Sequence, residues 1–203
     1  IKAMQEVLED VRLYPDNECY HLGRALAERF DVPREQILIG RGSDEIIHMI
    51  GLAFMKPGDE ILIPDNPFVL YEFTGTLMDA NLVRVPLKDY RYDLEAMADK
   101  ISDKTKVVFV ANPNNPTGTI VTHDEIVRFL DVLGDKGILV LDEAYYEYVD
   151  DAKFPNALDL VNEGRNVIFL RTFSKIYSLA GLRLGYGITT PELAAALAKV
   201  REP

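Results

Sequence analysis

Along the chain, short runs rich in β-branched and aliphatic residues alternate with stretches whose apolar residues recur three or four positions apart. The first kind predicts strands at 37–39, 60–64, 82–86, 107–111, 138–142, 167–171 and 184–188. Val107-Val108-Phe109-Val110 and Ile138-Leu139-Val140-Leu141 are apolar on both faces, as a strand sandwiched between two helical layers must be. The second kind predicts helices at 19–30, 43–54, 94–101, 124–133 and 192–200. Thr122-His123-Asp124-Glu125 has the form of a capping box, and Thr190-Pro191-Glu192 places a proline in the first turn of the last helix. Strands and helices in alternation predict a three-layer α/β/α fold around a mostly parallel sheet. No repeat, low-complexity tract or linker interrupts it, so residues 1–203 are expected to form one domain. The chain opens without Met and closes abruptly, so it reads as a piece of a longer protein, with the helix at 190–203 leading toward a further domain.

Composition narrows the function classes. The 203 residues are 48% hydrophobic and 27% charged, ordinary for a globular protein with one sizeable core. A net charge of −11 argues against nucleic acid or an anionic membrane as the main partner. Any anion must therefore be held by a local site. Cys19 is the lone cysteine, which excludes an intrachain disulfide or a cysteine-based zinc site. No apolar run approaches the ~18 residues needed to cross a bilayer. His21, His48 and His123 are scattered, no carboxylate or histidine cluster completes a metal site, and no metal is expected.

Ligands of parallel α/β sheets gather at the carboxyl ends of the strands, and the unusual residues of this chain fall there. Gly40-Arg41-Gly42-Ser43-Asp44-Glu45 joins a strand to a helix and leaves the N–H groups of Ser43 and Asp44 open, either as a phosphate cradle or as a plain helix start. Asn112-Pro113-Asn114-Asn115-Pro116-Thr117-Gly118 forms a stiff loop after a core strand, in which Asn115 can donate a fixed amide hydrogen bond; a simple turn is the bland reading. Asp142 ends a buried strand and needs a cation, a metal or a capping role; Tyr145 follows three residues later. Lys175 lies in Arg171-Thr172-Phe173-Ser174-Lys175, an apolar and hydroxylic stretch where an ammonium is costly to bury, with Arg183 eight positions on. A lysine for a Schiff base, an acid for a protonated ring nitrogen, hydrogen-bond partners for a phenolic oxygen and a phosphate cradle together describe pyridoxal 5'-phosphate.

At these residues the chain resembles the fold type I aminotransferases. The resembling motifs are Asn112-Pro113-Asn114-Asn115-Pro116-Thr117-Gly118, Asp142-Glu143-Ala144-Tyr145, Thr172-Phe173-Ser174-Lys175 and Gly181-Leu182-Arg183-Leu184-Gly185-Tyr186. Arg12-Leu13-Tyr14-Pro15 and Val200-Arg201-Glu202-Pro203 are similar to the histidinol-phosphate branch of that family. The resemblance implies that Lys175 binds the cofactor aldehyde and then moves a proton, that Asp142 keeps the pyridine nitrogen protonated, and that Tyr145 and Asn115 bond the phenolic oxygen. It implies Thr172, Ser174, Arg183 and the amides of Ser43 and Asp44 around the phosphate, with Phe68, or else Tyr71, stacked on the ring. Tyr14 would reach the cofactor phosphate of a neighbouring subunit, which implies a homodimer with shared sites; a cytoplasmic location is expected as well. The implied reaction transfers the amino group of L-histidinol phosphate to 2-oxoglutarate. Alternatives are an aromatic or aspartate-type aminotransferase, a decarboxylase of phosphorylated amino acids, a ligand-sensing domain of a transcription regulator, and, last, a nucleotide-binding Rossmann enzyme.

Overall fold

The computed structural model describes residues 2–201. Seven strands form one sheet: β1 Ile37–Arg41, β2 Glu60–Pro64, β3 Asn81–Val85, β4 Thr105–Ala111, β5 Ile138–Asp142, β6 Val167–Thr172 and β7 Leu184–Thr189. Their order across the sheet is β1-β7-β6-β5-β4-β2-β3. The pairs β3–β2, β2–β4, β4–β5 and β5–β6 are parallel, whereas β7 runs antiparallel to both β6 and β1. The eight helices among the described residues are α1 Lys2–Glu6, α2 Tyr20–Phe30, α3 Ser43–Phe54, α4 Val69–Leu77, α5 Leu94–Ala98, α6 His123–Leu133, α7 Ala157–Asn162 and α8 Pro191–Ala198.

The doubly apolar strands produce two cores by simple alternation. Val107, Phe109, Val140, Ile168 and Leu170 face one side and pack with Ile46 and Ile50 of α3, Tyr71 of α4 and Leu197 of α8. Val108, Val110, Leu139, Leu141 and Phe169 face the other and pack with Leu26 of α2, Met97 of α5, Phe129 of α6 and Leu160 of α7. Burying each such aliphatic or aromatic side chain contributes roughly 1.5–3 kcal/mol, so the helical layers are held by the central strands. The sheet is therefore the middle layer of three, and most of its strands end at one common edge.

Strand β7 reaches that same edge from the opposite direction. Gly185 pairs with Thr172 at the end of β6, and Leu184 pairs with Arg41 at the end of β1. Arg183, which precedes β7, thus joins residues that follow the parallel strands. Strand direction is invisible in an apolar run, and only pairing reveals it.

Helices depart from the expected pattern more than strands do. The helix expected over 94–101 ends at Ala98. Helix α4 was not expected, because Val69, Phe73, Thr74, Gly75 and Thr76 are poor helix formers. Packing overrides propensity there: a Cβ on Gly75 would lie 2.4 Å from Leu82 Cδ2, and one on Gly51 would lie 2.5 Å from Thr74 Cγ2, so both glycines are what let α3, α4 and the sheet approach so closely. Helices α1 and α7 were likewise not expected. The last helix ends at Ala198, and the final Glu202 and Pro203 of the Val-Arg-Glu-Pro motif lie outside the described residues.

The capping box forms as expected. Glu125 Oε2 accepts from the Thr122 N–H at 2.7 Å and from the Thr122 hydroxyl at 2.6 Å. Arg91 adds a bidentate ion pair, with Nη1 on Glu125 Oε1 at 2.8 Å and Nη2 on Oε2. Hydrogen bonding from Arg91 lowers the Glu125 carboxyl from 4.5 to about 2, with burial opposing it. A depressed acid contributes stability that is complete above its unfolded value and is lost as pH falls through its folded one. Glu125→Gln, which keeps a capping oxygen but removes the charge, is expected to cost about 1 kcal/mol at neutral pH, a modest value because the pair is partly solvated. Urea unfolding of both proteins should show this gap shrinking as pH falls from 4.5 toward about 2; a gap that does not change with pH would refute the ion-pair account.

Candidate active site

A cleft of about 190 Å³ opens at the shared edge of the sheet. Its floor is the end of β5. Alternation puts Asp142 on the same face as Val140 and Ile138, under α3 and α4, and burial leaves it only 6% exposed. Two donors hold the carboxylate: the Tyr71 hydroxyl on Oδ2 at 2.7 Å and the Ala144 N–H on Oδ1 at 3.2 Å. Burial raises the Asp142 carboxyl above the usual range, while the Tyr71 and Ala144 hydrogen bonds pull it back. Such a group calls for a cationic or N–H partner from the cleft.

The loop after β4 forms one wall. Asn112 is buried and pins the loop through paired hydrogen bonds with Val121, 3.0 Å each way. Asn114 closes it from within, bonding the Thr117 hydroxyl at 2.8 Å. Asn115 is left exposed, its amide pointing 3.5 Å from the Tyr145 hydroxyl, so both face the same part of the cleft.

The opposite end is built to hold an anion. Helix α3 starts at Ser43 with no side-chain cap, after Gly42 at φ 80°. Gly185 packs directly on this turn: a Cβ there would lie 2.4 Å from the Ser43 nitrogen and 2.5 Å from the Gly42 carbonyl carbon. Thr172 and Ser174 hydroxyls lie 2.9 Å apart beside it. Arg183, in the left-handed conformation at φ 52°, places Nη2 2.9 Å from Asp44 Oδ2. Free helix N–H groups, a guanidinium and two hydroxyls make a site for a phosphate-like group.

Lys175 lines the cleft between the two ends, with Nζ 5.5 Å from the centre of the Tyr145 ring. The apolar burial suggested by its neighbours is not seen: Lys175 is exposed, on a loop that leaves the sheet after Thr172 and returns at Leu184. Its sequence neighbours are apolar because Phe173 turns inward to Tyr186, while Ile176 and Tyr177 are themselves exposed.

Ser43, Asp44, Phe68, Tyr71, Asn115, Asp142, Tyr145, Thr172, Ser174, Lys175 and Arg183 all line this cleft. Tyr14 does not, and is 99% exposed. The alternative of Tyr71 as the stacking aromatic is corrected by its position. Tyr71 is fully buried, with one ring face on Phe109 at 4.3 Å and 8° and its hydroxyl committed to Asp142. Phe68, partly exposed, meets Tyr71 edge-on at 5.7 Å and, of these two, is the one with ring surface left for the cleft.

Sequence reasoning missed three features. One is the Tyr71–Asp142 bond, signalled only by a tyrosine three residues after Phe68. Another is the Asp44 carboxylate on Arg183, where only the Asp44 amide had been considered. The third is a buried ion pair on the reverse face of the sheet, where Arg171 Nε and Nη2 both lie 2.8 Å from Glu143 Oε2 and the guanidinium stacks 3.4 Å from the Tyr146 ring centre. Two carboxylates in succession at a strand end, Asp142 and Glu143, were its available signal, because alternation must send them to opposite faces.

Fold and site together define a class: a mostly parallel α/β protein that can seat an anion at one end of a cleft and a protonated heteroaromatic ring against a buried carboxylate at the other. The chain belongs to the aminotransferase class I and II family, whose model matches residues 1–203. It is 48% identical over 204 residues to the histidinol-phosphate aminotransferase of Moorella thermoacetica, covering 100% of this chain and 53% of that protein. It is 47% identical to the histidinol-phosphate aminotransferase of Brevibacillus brevis, over 99% of this chain and 55% of that one. The crystal structure of histidinol-phosphate aminotransferase from Sinorhizobium meliloti in complex with pyridoxal-5'-phosphate superposes with a TM-score of 0.92 at 33% identity, over 98% of this chain and 55% of that one. The chain thus spans about half the length of the curated relatives it matches. Among the described residues no helix is long and apolar enough to cross a membrane.

The packing of Gly185 on the anion end gives a direct test of this architecture. Gly185→Ala forces its methyl against backbone rather than a movable side chain, so unfolding free energy should fall by roughly 1–3 kcal/mol. Denaturant titration measures it, and a variant as stable as the parent would show that the start of α3 is not held where the structure puts it.

Proposed function

We propose that this chain is the cofactor-binding part of a pyridoxal-phosphate-dependent aminotransferase that moves the amino group of L-histidinol phosphate to 2-oxoglutarate in histidine biosynthesis. The observation that carries the reading is the spacing of unlike groups in one cleft: buried Asp142 on the floor, Arg183 and the uncapped helix start at the far end, and Lys175 between them. The residues fit that cofactor. Among the described residues no cationic side chain bonds Asp142, the turn at Gly42 and Gly185 carries no Cβ and has the Arg183 guanidinium beside it, and Asn115 and Tyr145 face the same part of the cleft.

Each residue then has a definite task. When bound, pyridoxal phosphate supplies an aldehyde that captures amines and a cationic ring that draws electrons from the amine-bearing carbon. The Asp142 carboxylate accepts the ring N–H and keeps it protonated. The N–H groups of Ser43 and Asp44, the hydroxyls of Thr172 and Ser174, and Arg183 hold the phosphate. Tyr145 and Asn115 orient the ring through its phenolic oxygen, and Phe68 covers its face. Lys175 Nζ, which lines the cleft between the two ends, would be the amine that holds the aldehyde and the group that would take the proton from the donor's amine-bearing carbon.

The named relatives favour histidinol phosphate as donor. The same reading includes a cytoplasmic homodimer in which Tyr14 reaches the neighbour's phosphate. The support for a dimer here is the exposed apolar row Val7, Leu8, Val11 and Leu13 leading to Tyr14.

In its full-length form the protein is expected to make glutamate from 2-oxoglutarate when given histidinol phosphate, with a larger kcat/KM than for aromatic amino acids or aspartate. Preference for another amine would reassign the donor, release of carbon dioxide would indicate a decarboxylase, and cofactor binding without turnover of any amine would indicate a sensor. Lys175→Ala should lower turnover by at least about a thousandfold. After borohydride treatment the parent should carry the cofactor covalently, whereas the variant should not; a covalent cofactor in Lys175→Ala would remove Lys175 from its central role.

A further inference from the structure

We propose that Tyr71 is a positioning residue for this site, acting through Asp142 to hold the carboxylate aimed at the cofactor's ring nitrogen. The proposal rests on the reading of the cleft as a pyridoxal-phosphate site. Tyr71 lies in the first turn of α4, three residues after Phe68. Its side chain has no freedom to wander: it is fully buried, stacked on Phe109 at 4.3 Å and met edge-on by Phe68 at 5.7 Å. The hydroxyl is thereby fixed 2.7 Å from Asp142 Oδ2.

The chemistry of the pair is one-directional. Burial and the facing Asp142 charge push the Tyr71 phenol well above its ordinary range, so it remains a neutral donor. A carboxylate is an acceptor only, so the proton belongs to Tyr71 and the charge to Asp142. With the Ala144 N–H on Oδ1 and Tyr71 on Oδ2, each oxygen has one fixed donor. Such a carboxylate cannot rotate without breaking a bond, and its remaining lone pairs are free for an N–H from the cleft.

Other charges around Asp142 do not provide this orientation. Asp44 at the start of α3 disfavours the Asp142 anion, and Lys175 favours it. Glu143 on the reverse face and Tyr92 also feel its charge, but Tyr92 accepts from the Ala111 N–H at 3.1 Å and Glu143 faces Arg171. Among the described residues only Tyr71 joins Asp142 by a side-chain hydrogen bond. A tyrosine that served only the core would be replaceable by phenylalanine with a loss of stability and nothing else. A positioning tyrosine predicts a defect specific to the ring nitrogen.

Tyr71→Phe keeps the stack and the volume. The apoprotein, parent and variant, is titrated with pyridoxal phosphate and with its carbocyclic analogue, in which C–H replaces the ring nitrogen. We expect Tyr71→Phe to weaken pyridoxal phosphate by about tenfold, the worth of one hydrogen bond to a charged group. The analogue should bind both proteins alike. The acid limb of pyridoxal-phosphate affinity should also move to higher pH in the variant, because the bond that lowers the Asp142 carboxyl is gone. The analogue's limb, which reports the phosphate, should stay in place. In an Asp142→Asn background, Tyr71→Phe should leave cofactor affinity unchanged, which keeps the test open should the single variant prove unstable.

Equal losses for cofactor and analogue, or no loss for either, would overturn the proposal and return Tyr71 to a core role. A parent that binds the two ligands equally well would overturn the assignment of Asp142 itself, and the proposal with it.

Discussion

The site depends on a carboxylate buried at the floor of the cleft. Asp142 is nearly completely buried, and an unpartnered charge in that position would cost several kcal/mol. The surrounding structure is arranged around that cost. Helix α4 exists in spite of its residues' low helix propensity, and it delivers Tyr71 to one carboxylate oxygen. The turn after β5 delivers the Ala144 N–H to the other. Among the described residues no cationic side chain bonds this carboxylate, and the cleft is the direction from which one can come. On the proposed reading, a protonated ring placed there would offset the cost of burying the carboxylate, so a floor of this kind would favour a cationic heterocycle over a neutral one.

The same two strands do different work on their two faces. On the cleft side, β5 and β6 end in Asp142 and Thr172. One residue away, on the reverse side, Glu143 and Arg171 form a buried pair. Burial pushes the Glu143 carboxyl up to about 7 against the pull of Arg171, and its Oε1 has no hydrogen-bond partner. A raised acid costs the fold as it ionises, here between about 4.5 and 7, so this pair is weak support for stability at neutral pH. Its geometric effect is plainer. Together with the Glu143 N–H on the Leu170 carbonyl at 2.9 Å, it ties the end of β5 to the end of β6. That tie holds together the two strand ends that carry Asp142 and Thr172 into the cleft.

How much of this was legible depended on whether a residue's role was local. Strands apolar on both faces were readable because no other element buries both sides of so short a run. The capping box at Thr122 was readable because its partners are three residues apart. The motif residues of the cleft were readable because they lie at or beside strand ends. The antiparallel sense of β7 was not, since Leu184–Thr189 reads the same in either direction. Helix α4 was not, because Gly75 and its neighbours favour a helix only once Leu82 and Ile61 are in place. Tyr71 was half legible: its place beside Phe68 marked it as part of the site, but its partner lies 71 residues away. Lys175 lines the cleft, yet its neighbours' hydrophobicity suggested a burial that is not seen, since Phe173 turns inward while Ile176 and Tyr177 stay exposed.

The two ends of the cleft rest on opposite principles. The floor is prebuilt, its carboxylate held by the Tyr71 hydroxyl and the Ala144 N–H. The anion end is open, and its guanidinium already has a partner: Arg183 pairs with Asp44, both about half exposed, with side-chain exposures of 49% and 44%. In a chain of net charge −11 the long-range field opposes any anion, so capture must come from short-range donors. An exposed ion pair is worth about 0–1 kcal/mol, enough to keep Arg183 poised over the start of α3 and too little to resist a doubly charged phosphate offering several oxygens. Asp44 therefore acts as a placeholder whose bond is readily exchanged, whereas Tyr71 acts as a fixture whose bond is not. A ligand entering such a cleft would find its ring position set in advance and its phosphate position adjustable, the arrangement that keeps the reacting atoms near Lys175 in register.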